Sequence, residues 1–240
     1  MCCSTGLRAS SEVHAPPRRR LTTAARARSK CLCGADRPDE GDARSVKVAL
    51  TFDTEFPGRP TLPGVEDRIL ASLDAAGVEA TFFLQGRWTR ANPETARRIV
   101  EAGHSVGNHS NYHAPMNGLD DELLRHDIRK AEGTIQSVTG VDPRPLFRCP
   151  FGAGQDDQRV LAALEELGYR HVGWDVDPRD WEEDRTAEEL ERLVPDGVLE
   201  DGNDKTVLLH AWPLATAEAL PMILNALGAE SVQFVAPGKI

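Results

Sequence analysis

The stretch Val46-Lys47-Val48-Ala49-Leu50-Thr51-Phe52-Asp53-Thr54-Glu55 passes abruptly from apolar, β-branched residues to polar ones. A short apolar run that ends this way reads as a buried strand, Val46 to Phe52, delivering two carboxylates to a polar loop. After Gly64, apolar Val65, Ile69, Leu70 and Leu73 recur at helical spacing until Gly77, a residue suited to closing a helix. A second strand, Ala80 to Leu84, follows.

The same alternation continues along the chain. Asn92-Pro93 opens a helix running to Gly103, because proline is tolerated at the first helical position. A short run, Ser105 to Gly107, leads into Asn108 and His109. Helices are expected over Asp120 to Thr139, Gln155 to Leu167, Ala187 to Leu193 and Ala217 to Leu227. Strands are expected over Tyr169 to Trp174, Thr206 to Leu209 and Val232 to Val235. Strands that alternate with helices through short connections imply a parallel sheet, either open and doubly wound or closed into a β/α barrel.

Several of these strands end in ionisable residues: Asp53 and Glu55, His109, Arg148, Asp175 and Asp177, and His210. In a β/α barrel such ends share one face, where residues distant in sequence converge on a cleft.

The chain has 240 residues and is 40% hydrophobic, enough for one α/β domain with a continuous core. Its net charge of −10 argues against a nucleic-acid partner and against a basic membrane-surface protein. Met1 to Ala35 reads differently: Arg8, Arg18, Arg19, Arg20, Arg26, Arg28 and Lys30 against the single acid Glu12 make it basic, and residues 1–45 have no apolar run suited to a signal peptide or a membrane span. They are expected to form a disordered leader ahead of a single domain, 46–240. Of the five cysteines, only Cys149 falls in that domain, so the fold rests on its core and not on an internal disulfide.

His109 and His113 have the i, i+4 spacing that sets two imidazoles on one side of a helical turn, as a divalent metal requires. The expected companion is a carboxylate, Asp53 or Glu55, leaving the other acid free as a base. Each fragment alone also has an ordinary reading, as polar histidines or a solvated acidic loop. Cys149 has no base assigned to it and is not read as a nucleophile.

Five segments in order, TFDTEF, HSNYH, RCPFG, DVDPRDW and LLH, together with VEATFFLQG, resemble the motifs of polysaccharide deacetylases (the NodB-homology, carbohydrate esterase family four domain). The resemblance spans about Val46 to Val235. It implies a distorted (β/α) barrel of the glycoside hydrolase/deacetylase type, carrying a divalent cation, commonly zinc, in a sugar-binding groove. By that resemblance Asp53 is the catalytic base and Arg148 orients it, while His109 and His113 bind the metal. Pro150, Phe151, Gly152 and Trp181 line the groove, and His210 is the general acid paired with Asp180.

The first motif departs from the family pattern. Thr54 stands where the family usually has a metal-binding aspartate, and Glu55, one residue on, is expected to take its place. The expected activity is removal of acetyl groups from an N- or O-acetylated carbohydrate. Two alternatives stand beside it: a sugar-binding barrel that has lost its metal, and a cyclic amide or imide hydrolase. Substrate, oligomeric state and cellular location are not specified by these motifs.

Overall fold

The computed structural model describes residues 45–55 and 62–239. The expected leader, except for its last residue, and Phe56 of the first motif lie outside the described residues.

The opening stretch forms β1 (Lys47–Thr54), with every residue from Val48 onward buried. Its alternation sorts the side chains: Val48, Leu50 and Phe52 join the main core, while Thr51 and Asp53 turn to the other face. The chain continues as α1 (Val65–Ala76), β2 (Thr81–Leu84), α2 (Gly86–Ala91), α3 (Pro93–Glu101), β3 (Ser105–Asn108) and α4 (Asp121–Thr139). Then come β4 (Leu146–Phe147), α5 (Gln158–Glu166), β5 (Arg170–His171), α6 (Ala187–Leu199), β6 (Lys205–His210), α7 (Leu214–Ala229) and β7 (Gln233–Phe234).

All strand pairs are parallel, in the order β5-β4-β3-β2-β1-β6, and β7 pairs with the start of β1. The sheet curls toward closure. The chain leaving β5 crosses to β6, where Val176 bridges Val207 and Leu208 N–H donates to the Val176 carbonyl at 2.9 Å. This single bridge makes the architecture a distorted barrel, as expected, and not an open doubly wound sheet.

The helices pack outside. Val65, Ile69 and Leu73 of α1, Leu190, Val194 and Val198 of α6, and Leu220, Ile223 and Leu227 of α7 bury against β1 and β6. Burying each such side chain contributes roughly 1.5–3 kcal/mol. The Phe52 and Phe82 rings stack at 5.0 Å between centroids on this outer face. Gly77 closes α1 in the left-handed region at φ 64°, and the Asp120 carboxylate caps α4 by accepting from Leu123 N–H.

Several elements differ from expectation. The Tyr169–Trp174 strand contracts to Arg170–His171, because the chain leaves β4 to reach β6. Helix α6 runs through Pro195 to Leu199, since Val194 and Val198 extend its buried face. The expected helix from Gln155 starts at Gln158, after Asp157 caps it through Arg159 N–H. Helix α2, absent from the sequence reading, starts where the Gln85 side chain accepts from Trp88 N–H. Among the described residues no helix is long and apolar enough to cross a membrane.

Candidate active site

The site lies at the C-terminal ends of β1, β3, β4 and β6. Asp53 pairs with His210 in register across β1 and β6, which brings two residues far apart in sequence to one edge of the cleft. Thr54 turns away from that cleft. Its hydroxyl accepts from Gln85 N–H at 3.0 Å, tying β1 to the chain that follows β2. Glu55 returns to the side of Asp53, and its Oε1 lies 3.1 Å from His113 Nε2 and 3.5 Å from His210 Nε2. Burial opposes ionisation of Glu55, but the hydrogen bonds with His113 and His210 hold its pKa below the usual carboxylate range.

His109 and His113 are both buried, with Nε2 atoms 3.1 Å apart. The expected helical turn between them is absent. Ser110 and His113 instead take left-handed conformations, at φ 61° and 56°, and this irregular loop turns the two rings edge to face. His109 Nδ1 lies 3.0 Å from the Arg148 carbonyl. A carbonyl only accepts, so Nδ1 carries the proton and Nε2 presents its lone pair to the cluster. Burial lowers the His109 pKa to about 4, with Asp53 opposing, so the ring is neutral near pH 7.

The donor atoms of Glu55, His109 and His113 all lie within 4.8 Å of one another. Two imidazoles and one carboxylate, one imidazole with its tautomer fixed by a backbone carbonyl, fit a divalent cation such as zinc.

Arg148 is fully buried, which lowers its pKa, while Asp53 opposes that shift. Its guanidinium makes four hydrogen bonds: Nη1 donates to Asp53 Oδ1 at 2.9 Å and to Thr51 Oγ1 at 2.8 Å, while Nε and Nη2 donate to the Val172 and Gly173 carbonyls. The planar fork fixes the Asp53 carboxylate, whose second oxygen lies 3.5 Å from His109 Nε2.

Across the cleft, His210 Nδ1 lies 2.7 Å from Asp180 Oδ1. The other Asp180 oxygen accepts from His210 N–H at 2.7 Å and from the Thr216 hydroxyl at 2.6 Å. Burial works against a charged His210, but Asp180 and Glu55 raise its pKa well above the usual value.

These residues open on a cavity of about 440 Å³ walled by Phe151, Trp174 and Trp181. Phe151 (68% exposed) and Trp181 (40% exposed) are accessible at its mouth. Of the expected groove residues, Phe151 and Trp181 line the cavity. Pro150 is buried, and Gly152 packs beside Trp174, where an added Cβ would sit 3.2 Å from the indole. Neither lines the cavity, whereas Phe151 between them, left-handed at φ 57°, sets its ring 4.5 Å from that of His113. Cys149 is buried and its thiol pKa is pushed up to about 12, which suits no nucleophile. Asp177 reaches the cavity, whereas Asp175 is engaged with Thr206 N–H at 2.7 Å. A neighbouring cleft of about 700 Å³ shares Trp181 and extends to Trp212.

The sequence reading missed Trp174, Thr216, and Asp127 of α4, which meets the histidine loop. Trp174 stands at the end of an expected strand, just before Asp175, but was not assigned to the site. The other two lie on helices where nothing local marks them.

With this geometry in hand, comparison with known proteins decides the family. The sequence model for polysaccharide deacetylase matches residues 40–172, more than half of the chain. The chain belongs to the polysaccharide deacetylase family. It is 31% identical over 200 residues to the peptidoglycan-N-acetylglucosamine deacetylase PgdA of Listeria monocytogenes, covering 82% of this chain but 40% of that protein. A family 4 carbohydrate esterase from Streptomyces lividans, solved in complex with acetate, superposes with a TM-score of 0.69 at 29% identity, over 80% of this chain and 94% of that one. A CE4 family pseudoenzyme from Bacillus anthracis superposes equally well, with a TM-score of 0.70 at 27% identity, covering 80% and 65% of the two chains.

Proposed function

We propose that this polysaccharide deacetylase family member is a metal-dependent hydrolase that removes acetyl groups from an acetylated carbohydrate. One observation carries the reading: a buried Glu55–His109–His113 donor set shares a cleft with the Arg148-held Asp53 and the Asp180-held His210. Deacetylation of an amide needs a proton acceptor, a proton donor and stabilisation of the charge that develops on the carbonyl oxygen.

Glu55, His109 and His113 would hold the cation, and zinc suits this mixed nitrogen and oxygen set. When bound it would supply Lewis acidity at the floor of the cleft. Asp53, oriented by Arg148, accepts the proton of the attacking water. His210, kept protonated beside Asp180, donates a proton to the leaving nitrogen. The backbone N–H of Phe151 is the nearby candidate for holding the developing oxyanion. The rings of Phe151, Trp174 and Trp181 exclude water and offer flat apolar faces to a sugar. The adjoining cleft beyond Trp181 supports a substrate longer than one sugar unit.

The likeness to a pseudoenzyme favours a second reading, a sugar-binding barrel without turnover. Thr54 is the feature on which it rests, since its hydroxyl is committed to Gln85 and contributes no ligand. The two readings separate in one assay: acetate release by zinc-restored protein from acetylated chitin oligomers, peptidoglycan sugars, acetylated xylan and small amides. Release from at least one saccharide supports deacetylation. Ring opening of a cyclic amide without acetate release would transfer the site to the amide hydrolases, and saccharide binding without turnover would favour the binding barrel.

A further inference from the structure

We infer that Asp127 is a positioning residue that presets the His109–His113 loop for its cation, an inference that rests on the metal-dependent reading above. Asp127 lies on α4, far from the cleft in sequence, and is 2% exposed. Its two carboxylate oxygens accept from consecutive backbone groups of the loop, Asn111 N–H and Tyr112 N–H, each at 3.0 Å. The Ser110 side chain hydrogen-bonds the same carboxylate, and Ser110 Oγ in turn accepts from His113 N–H at 2.9 Å. One buried carboxylate therefore organises the three residues between the two histidines and, through Ser110, the second histidine itself.

Two carbonyls of the loop are bonded from the opposite side. Gly86 and Arg87, at the start of α2, donate to the Ser110 and Asn111 carbonyls at 2.9 and 3.4 Å. The middle of the loop is thus held between two helices, the Asn111 and Tyr112 N–H groups by α4 and the Ser110 and Asn111 carbonyls by α2. Contact is close enough that a Cβ on Gly86 would sit 2.7 Å from Asn111 Oδ1 and 2.9 Å from Ala131 Cα.

Such clamping has a physical purpose. Ser110 and His113 are held in the left-handed region, a strained conformation for a non-glycine residue that persists only where surroundings over-determine it. Released, the loop relaxes toward ordinary backbone angles, and the 3.1 Å approach of the two Nε2 atoms is lost. Asparagine at position 127 keeps the shape but offers one acceptor where the loop presents two N–H donors.

The test is a zinc titration of metal-free wild type, Asp127→Asn and Ile128→Val, with amide hydrogen exchange at Asn111 and Tyr112 followed in the metal-free proteins. Ile128 is a fully buried neighbour, so its trimming controls for mild destabilisation of α4. Asp127→Asn should bind zinc roughly 10–100-fold more weakly and exchange both amides faster, while Ile128→Val binds as wild type. Folded Asp127→Asn with wild-type zinc affinity overturns the inference, as does equal weakening by Ile128→Val. If wild type binds no zinc, the functional reading fails. The loop anchor is then decided by exchange alone, and equal rates in wild type and Asp127→Asn overturn it.

Discussion

Glu55 Oε1 lies 3.1 Å from His113 Nε2, although the residue before it, Thr54, occupies the position where the family usually places its metal-binding acid. The strand alternation explains the relationship. Asp53 and Glu55 return to the same side while Thr54 faces Gln85, so a carboxylate still reaches the histidine pair from one residue further along.

Glu55→Gln should therefore weaken zinc affinity substantially, on the order of 10-fold or more by loss of the anionic ligand, while Thr54→Ala leaves affinity nearly unchanged. Calorimetric titration of each metal-free variant measures this directly. Loss of binding in Thr54→Ala with normal binding in Glu55→Gln would reverse the assignment.

On the proposed mechanism Asp53, held by Arg148, is the base and not a primary ligand, so Asp53→Asn should lower turnover by about 10²–10⁴-fold while zinc remains bound. Metal content and steady-state rates of the purified variant decide it. Zinc loss in this variant would make Asp53 the ligand.

The pH profile reports on His210. Its pKa is raised in the folded protein, so the protonated acid persists below that raised value and is lost as pH rises through it. Asp180→Asn removes the main charge that raises it, and the basic limb of turnover should move to lower pH. A basic limb unchanged in Asp180→Asn would mean that another group sets it.

Much of the barrel was legible in the sequence because its signals are local. β1 shows a continuous apolar run, α1 ends at a left-handed glycine, and α3 begins at Pro93. The site was legible through its residue types and less so through its shape. An i, i+4 histidine pair is compatible with a helical turn, and only contacts with Asp127, at sequence separations of 15 and 16, impose the irregular loop. Thr216 was hidden for the same reason: its hydroxyl meets Asp180 across 36 residues, and no local pattern records that distance. The contraction of β5 was also illegible, since nothing local in Tyr169 to Trp174 marks where the chain changes partner from β4 to β6.

Phe82→Ala tests the outer core independently of the site. Removing a fully buried ring that stacks on Phe52 should lower stability by about 3–5 kcal/mol, read by denaturant unfolding. A loss below about 1 kcal/mol would mean that this packing relaxes around the cavity.

The central claim is a cation held by Glu55, His109 and His113 that supports deacetylation. Its most direct test is to titrate metal-free protein with zinc while measuring acetate release from an N-acetylated chitin oligomer, beside the double variant His109→Ala, His113→Ala. The account predicts that acetate release rises with zinc and saturates near about one equivalent per chain, with no rise in the double variant. Acetate release that is independent of zinc, or equal in the double variant, would contradict it.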